Sequence, residues 1–167
     1  MPEAAPAVGS RSNREMALGS LMLAFEGRDL PAGVAARLST APAAGITLFR
    51  FSNVESPAQV RALTAAIQVA AASRPGAATG SPLLVAADQE GGQLVALGEA
   101  TTPFAGNMAL GATRDPLLAE RVGRAIGREL RAMGVNLDYA PVCDLATNPR
   151  NPAVGIRSFG DGPGAVG

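Results

Sequence analysis

Short apolar segments alternate with longer amphipathic stretches along most of the chain. Four of these segments, at residues 21–25, 46–49, 83–87 and 136–140, are largely continuous rather than alternating in character. Such runs are typical of strands that are buried on both faces, as they are in parallel sheets. The pattern therefore predicts a protein of the α/β class with about four strand–helix units.

Two of the stretches between these runs carry clear signals for the start of a helix. Residues 56–59 read Ser-Pro-Ala-Gln, in which serine is the cap, proline takes the first helical position and glutamine completes a capping box. Residues 115–116, Asp-Pro, begin a longer stretch with apolar residues at spacings of three and four, and Gly134 is placed to end it. The apolar stripe of each helix is expected to pack on the sheet.

Two architectures use buried parallel strands in this way: an open doubly wound sheet and a (β/α)8 barrel. A complete barrel has about 250 residues, whereas this chain has 167. If the fold is a barrel, the chain is expected to form its N-terminal part. Residues 1–16 are predicted to be a flexible leader, and residues 17–167 to form the fold.

Charge and composition exclude several classes of function. The 14 basic residues are all arginines, they balance 14 acidic residues, and the chain has no histidine. Without a basic excess, nucleic acid is not expected as a partner. Because the 167 residues include neither histidine nor lysine, they cannot supply an imidazole base, a histidine ligand for a metal or a lysine for a Schiff base.

The remaining compositional signals concern location. No stretch has the apolar core of a signal peptide, and none approaches 18 consecutive apolar residues, so we expect a cytoplasmic protein with no membrane partner. The single cysteine, Cys143, excludes an internal disulfide and fits a reducing compartment. It is predicted to be a small residue of the core.

The polar residues most suggestive of chemistry follow the third apolar run. Residues 88–92 read Asp-Gln-Glu-Gly-Gly. At the carboxyl end of a strand, the glycines would let backbone approach a ligand, and a carboxylate would accept hydrogen bonds from hydroxyls. A tight turn whose carboxylates cap backbone amides accounts for the motif equally well. Two carboxylates can also act as the nucleophile and the acid of a glycosidase. Asp88 and Glu90 are too close in the chain to flank a glycosidic bond from different elements, as such a pair must.

Other candidate residues lie further along the chain. Asp138 falls within the fourth run and Asp144 just beyond it, whereas Arg157 lies in a segment rich in Asn, Ser and Asp that is typical of a binding loop. Residues 162–167 fit the G-x-G-x-x-G pattern of dinucleotide-binding folds, but no apolar run precedes them. An open α/β nucleotide-binding domain is therefore a remote alternative.

Several motifs between residues 88 and 160 occur together in one order. They are Asp-Gln-Glu-Gly-Gly at 88–92, Pro-Phe at 103–104, Ala-Leu-Gly-Ala at 109–112, Gly-Arg-Glu-Leu-Arg-Ala-Met-Gly at 127–134, Asn-Leu-Asp-Tyr-Ala-Pro-Val-Cys-Asp at 136–144, Asn-Pro at 151–152 and Arg-Ser-Phe-Gly at 157–160. Together they resemble the N-terminal catalytic domain of glycoside hydrolase family 3. The first motif is similar to that of the β-N-acetylhexosaminidase branch.

The resemblance implies a TIM-type (β/α)8 barrel that removes terminal β-linked sugars with retention, without a cofactor or a metal. The expected substrate is an N-acetyl-β-glucosaminide of cell-wall or amino-sugar recycling. By the family's pattern, Asp88 hydrogen-bonds the terminal sugar and Arg157 helps to hold it. The chain departs from that pattern at Gln93 and Ala96, where the family usually has arginine, so we expect weaker affinity or a different sugar.

The resemblance also implies which groups this chain does not carry. In this branch of the family, three features follow the Arg-Ser-Phe-Gly segment: the Lys-His motif, the histidine and aspartate that act together as acid/base, and the aspartate nucleophile. The catalytic residues are therefore expected beyond Gly167, and none is assigned here. We therefore expect the chain as given to be truncated and inactive. The alternative is a non-catalytic carbohydrate-binding module. Half a barrel would have two unpaired edge strands, and we expect the isolated chain to self-associate.

Overall fold

The computed structural model describes residues 12–77 and 80–167, and its centre is a parallel sheet. Four strands form this sheet in the order β1-β2-β3-β6, and two more form a separate antiparallel hairpin. The strands are β1 (Met22–Leu23), β2 (Gly45–Thr47), β3 (Leu84–Ala87), β4 (Gln89–Gly91), β5 (Leu94–Val95) and β6 (Leu137–Asp138). The α/β class and the four predicted strand positions are confirmed.

Helices and short turns connect the strands. The helices are α1 (Asn13–Leu18), α2 (Ala32–Thr40), α3 (Arg50–Asn53), α4 (Pro57–Ala72), α5 (Asn107–Thr113), α6 (Pro116–Ala132) and α7 (Pro163–Val166), with 3₁₀ turns at Gly98–Ala100 and Gly155–Arg157. Of the predicted leader, residues 1–11 lie outside the described residues. Residues 13–16 belong to α1, which Ser12 and Glu15 cap reciprocally.

The order of the strands distinguishes the two architectures left open by the sequence. In the central sheet the strands follow one another in chain order with no reversal, and every neighbouring pair is parallel. In a doubly wound sheet the order in which strands are added reverses at a switch point, whereas in a barrel each new strand is added beside the previous one. The chain therefore forms the first four strands of a barrel, and β1 and β6 are the edges of the sheet in the described part of the chain.

The core lies between this sheet and the longer helices. Ile46 of β2 and Val85 of β3 are adjacent in register and fully buried. Helices α2, α4 and α6 cover them with side chains that include Leu38, Ile67 and Leu130, all buried. The polar residues described below lie outside this core, at the edge of the sheet formed by the carboxyl ends of the strands.

The predicted helix starts are confirmed, with one change of detail. Ser56 accepts a hydrogen bond from the Gln59 amide at 3.2 Å, as a capping serine does. The Gln59 side chain does not complete the box on Ser56, because its Oε1 accepts from the Glu55 amide at 3.0 Å. At the other predicted boundary, Gly134 follows α6 with φ of +79°, a conformation that favours glycine.

Neutral amide side chains link the loops and strands. Asn53, which is fully buried, donates to the carbonyls of Phe25 and Gly27 and accepts from the Phe49 amide. Asn136 accepts from the Val85 amide at 2.7 Å and so ties the start of β6 to β3. These carboxamide links connect segments that are far apart in the chain.

The prediction that Cys143 belongs to the core is wrong, because its side chain is exposed. Cys143 follows β6 by five residues, where the chain has left the sheet and runs as an irregular surface segment. In that segment the Val142 side chain is buried, whereas the neighbouring Cys143 side chain is not.

Candidate functional site

Asp88 lies where β3 ends, at the carboxyl edge of the sheet. Its main-chain carbonyl accepts a hydrogen bond from the Ala96 amide at 3.0 Å, which joins the two chain ends at the open end of the β4–β5 hairpin. Its side chain is half-buried, and its carboxylate accepts no hydrogen bond from any residue that the structure describes. The turn interpretation, in which this carboxylate caps backbone amides, therefore does not hold for Asp88. It is an available acceptor at the edge where barrel enzymes bind ligands.

Gln89 fixes the backbone next to Asp88. Its amide donates to Asp138 Oδ1 at 2.9 Å, and its buried side chain accepts from the Leu97 amide at 3.0 Å and donates to Thr101 Oγ1 at 2.8 Å. Gln89 therefore joins three segments of the chain by hydrogen bonds: β4 itself, β6 through Asp138, and the segment after β5 through Leu97 and Thr101. Asp88 is thereby held between β6 on one side and the segment after β5 on the other.

Glu90 and Arg157 form a two-point ion pair across 67 residues of sequence. Arg157 Nε donates to Oε2 at 2.9 Å, and Nη2 donates to Oε1 at 2.5 Å. The Glu90 side chain is 2% exposed and that of Arg157 is 32% exposed. The hydrogen bonds to Glu90 raise the pKa of Arg157 above its usual value. The negative charges nearby, those of Glu90, Asp144 and Asp88, act in the same direction. Arg157 therefore stays cationic beside Asp88.

The loop that carries Arg157 is held at several points. Asn107 at the start of α5 donates to the Arg157 carbonyl at 2.8 Å. The buried Ser158 hydroxyl lies 2.6 Å from the Asp144 carbonyl and 2.8 Å from the Gly160 carbonyl. Gly111 of α5 lies against the Phe159 backbone so closely that no side chain fits between them. The arginine is thus placed by a packed backbone and not by a free loop.

Asp138 is the third carboxylate at this edge. Burial raises its pKa above the usual aspartate value, and the negative charges of Asp88 and Glu90 raise it further, while the hydrogen bond from the Gln89 amide lowers it. Because the folded pKa lies above the unfolded one, Asp138 favours the folded state in acid. That contribution is lost as the pH rises through the folded pKa.

We expect the Asp138→Asn variant to be at least as stable as the parent chain at pH 7. Asparagine keeps an oxygen acceptor for the Gln89 amide and removes a charge that burial, Asp88 and Glu90 disfavour. Urea unfolding at pH 7 and below pH 4 measures the effect, and the gain should vanish in acid. Asp138→Ala is the control: it leaves the amide without its partner and should lose about 1–2 kcal/mol. A stability gain that persists unchanged in acid would contradict this account.

Beside the ion pair lies an open cavity of about 490 Å³. Its walls come from the β4–β5 hairpin, α5 and the turn before Arg157. The lining residues are Gly91, Gly92, Gln93, Gly106, Asn107, Met108, Ala109, Ala112, Ile156 and Arg157. The cavity is therefore lined by one of the two predicted sugar contacts, Arg157, and not by Asp88.

The two positions that depart from the family pattern differ in the structure. Gln93 is exposed and lines the cavity, so it is available to a ligand. Ala96 is buried in the core and presents only a methyl group.

Sequence reasoning singled out Asp88, Glu90, Asp138 and Arg157 but did not pair them. The Glu90–Arg157 pair and the bridging role of Gln89 have no signal in local spacing, since their partners come from other strands. The convergence of strand ends was the one available clue. The contact between Tyr139 and Thr47, whose hydroxyl oxygens lie 3.0 Å apart, was not predicted from the sequence either.

Comparison with known proteins supplies an independent finding. Residues 22–167 match the family described as glycosyl hydrolase family 3 N terminal domain. Beta-hexosaminidase A of Pseudoalteromonas piscicida is 38% identical over 141 residues, covering 82% of this chain and 23% of that protein.

Solved structures agree with the sequence match. A family 3 beta-N-acetylglucosaminidase from Paenibacillus sp. superposes with a TM-score of 0.84 at 36% identity, covering 94% of this chain and 29% of that one. The NagZ protein of Neisseria gonorrhoeae, solved with N-trifluoroacetyl-D-glucosamine, gives a TM-score of 0.77 at 31% identity, covering 89% and 43%.

The chain spans less than half the length of the curated relatives that it matches first. Within residues 12–77 and 80–167, none of the helices is both long and apolar enough to cross a membrane.

Proposed function

Because this chain belongs to glycosyl hydrolase family 3, we propose that it supplies part of the sugar-binding site of a retaining β-N-acetylhexosaminidase. The proposed substrates are terminal β-linked N-acetylhexosaminides, with N-acetyl-β-glucosaminides first among them. The observation that carries the proposal is the unpartnered carboxylate of Asp88 beside the fixed guanidinium of Arg157.

Each of the two residues has a defined part in this proposal. The Asp88 carboxylate accepts hydrogen bonds from adjacent sugar hydroxyls, which are stronger than bonds to a neutral acceptor. Arg157 has five N–H donors, of which three go to Glu90 and to the Ala153 carbonyl. The remaining N–H groups are free to donate to a sugar. Glu90 orients the guanidinium and does not itself need to touch the ligand.

Neither the nucleophile nor the acid/base of the retaining reaction is assigned to this chain. In the usual form of that reaction, two carboxyl groups flank the scissile bond at about 5–5.5 Å from each other. Glu90 is committed to Arg157, and Asp138 to the Gln89 amide. Of these three carboxylates, only that of Asp88 has no hydrogen-bond partner in the described part of the chain, and we propose a binding contact for it, not a reacting role. We propose that the 167-residue chain binds a sugar weakly and does not hydrolyse aryl β-N-acetylglucosaminides.

We expect N-acetylglucosamine, at millimolar concentration, to shift the backbone amide resonances around Asp88 and Arg157. Asp88→Ala should abolish these shifts, because hydrogen bonds to a charged group contribute about 1.5–3 kcal/mol, or tenfold or more in affinity. Glu120→Ala, which removes an exposed carboxylate on α6, is the matched control and should bind normally. Equal binding by the Asp88→Ala variant, or hydrolysis at an ordinary enzymatic rate, would refute the proposal.

A self-standing carbohydrate-binding module is the second candidate, and the same site favours it because the backbone of Asp88 and the guanidinium of Arg157 are already held by hydrogen bonds. Calorimetric titration separates the two functions. A module that is complete in this chain should give saturable heat well below millimolar sugar, whereas a partial site should not.

A further inference from the structure

A second, smaller pocket lies at the same edge of the sheet as Asp88. It has a volume of about 230 Å³ and is formed by segments that follow β1, β2 and β5. Its lining residues are Arg28, Arg50, Phe51, Val54, Glu55, Leu97, Gly98, Glu99 and Ala100. Since β1, β2 and β3 are parallel, the segments that leave their carboxyl ends emerge at the same edge of the sheet.

An exposed aromatic ring forms one side of this pocket. Phe51 is 94% exposed, which is unusual for a large apolar side chain, and the Arg50 guanidinium lies 5.6 Å from the centre of its ring. Arg50 also packs closely on Gly98, where a Cβ would lie 2.7 Å from its Nε. The ring and the guanidinium are therefore adjacent, and both border the same pocket.

The polar groups around the ring suit a hydroxyl-rich ligand. Arg28 and Glu55 form an exposed ion pair at 3.4 Å. Within the described part of the chain, Arg50 and Glu99 take part in no ion pair, so a donor and an acceptor remain available. A pyranose ring offers an apolar C–H face for stacking on an aromatic and a rim of hydroxyls for charged groups.

This pocket is tied directly to the backbone of Asp88. The Ala96 amide donates to the Asp88 carbonyl, and the Leu97 amide donates to the buried Gln89 side chain. Leu97 is itself a wall of the pocket, and it continues into the turn Gly98–Ala100. The turn that carries Glu99 is thus held at a fixed position relative to the predicted sugar contact.

We propose that Phe51 and Arg50 form a platform for the second sugar ring of a β-linked chain, the ring that follows the one held by Asp88 and Arg157. The C–H face of this ring stacks on Phe51, and its hydroxyls pair with Arg50 and Glu99. This inference rests on the proposed function of the Asp88 site. It assigns to that site a preference for a disaccharide over a monosaccharide.

Nuclear magnetic resonance titration of the 167-residue chain with N-acetylglucosamine and with its β-1,4-linked disaccharide tests the platform. We expect the disaccharide to bind about fivefold more tightly and to shift the amides of Phe51 and Gly98, which the monosaccharide should leave in place. Phe51→Ala should remove this advantage without changing the affinity for the monosaccharide. The ring is almost wholly exposed, so its removal should leave the fold intact.

Leu117→Ala is the matched control, because it truncates another exposed apolar side chain, on α6, and should preserve the disaccharide preference. If the monosaccharide binds but the disaccharide binds no more tightly, or if Phe51→Ala leaves the preference unchanged, the platform is refuted and the Asp88 site stands. If neither sugar binds, the proposed function fails, and the platform fails with it.

Discussion

Arg157→Ala is expected to lower the free energy of unfolding by about 3 kcal/mol, and Glu90→Gln to lower it by only about 1 kcal/mol. The asymmetry follows from burial. Without Arg157, the Glu90 carboxylate stays buried with no counter-charge and with Asp88 and Asp138 nearby. Without the Glu90 charge, Arg157 is a third exposed and can turn towards water, and glutamine still offers it an oxygen.

Urea unfolding followed by circular dichroism measures these losses. The double variant Arg157→Ala/Glu90→Gln should recover part of the loss of Arg157→Ala, since it removes the uncompensated charge along with its partner. Two single variants of equal cost, whose effects add in the double variant, would contradict the view that an isolated buried carboxylate causes the loss.

Gly111→Ala is expected to be comparably damaging, although it adds a single methyl group. Its Cβ would lie 1.8 Å from the carbonyl oxygen of Phe159 and 2.7 Å from the carbonyl carbon. Both are backbone atoms, so α5 and the Phe159 segment must separate, at a cost of about 3 kcal/mol. Arg157 lies two residues before Phe159, and the displacement should weaken sugar binding as well.

Gly123→Ala is the matched control for this prediction. Gly123 is also helical, in α6, but a Cβ there meets no atom within 4 Å. The substitution should stabilise the protein by about 0.5–1 kcal/mol, because alanine is the better helix former. Thermal unfolding of both variants and the sugar titration are the measurements. If Gly111→Ala matched Gly123→Ala in both, the close contact with Phe159 would not exist in solution.

The strands and the main helix boundaries could be predicted because their signals are local. The run at 83–87 and the Asp-Pro at 115–116 specify their own structure through burial and capping. The strand order then separated the barrel from the doubly wound sheet, which periodicity cannot do. The prediction for Cys143 was wrong because it relied on the general tendency of cysteine to be buried. That tendency does not take into account that the chain has left the sheet at this position.

The candidate site was only partly predictable. The motif at 88–92 indicated a functional edge, but its two carboxylates have opposite surroundings. Asp88 is unpartnered, while Glu90 is buried against Arg157. The difference depends on a residue 67 positions away, brought close by packing of α5 on the Phe159 segment. Neither charge pattern nor spacing along the chain encodes that approach.

The carboxamide links of Asn53, Gln89 and Asn136 have a consequence for how the site responds to its surroundings. Asparagine and glutamine carry no ionisable proton, so the frame they build keeps the same charge and the same donors in acid and in alkali. Acidification can therefore protonate Asp138, whose pKa burial raises, while these carboxamide cross-links stay unchanged. A pH profile of unfolding would then report the protonation of Asp138 on a frame that stays in place.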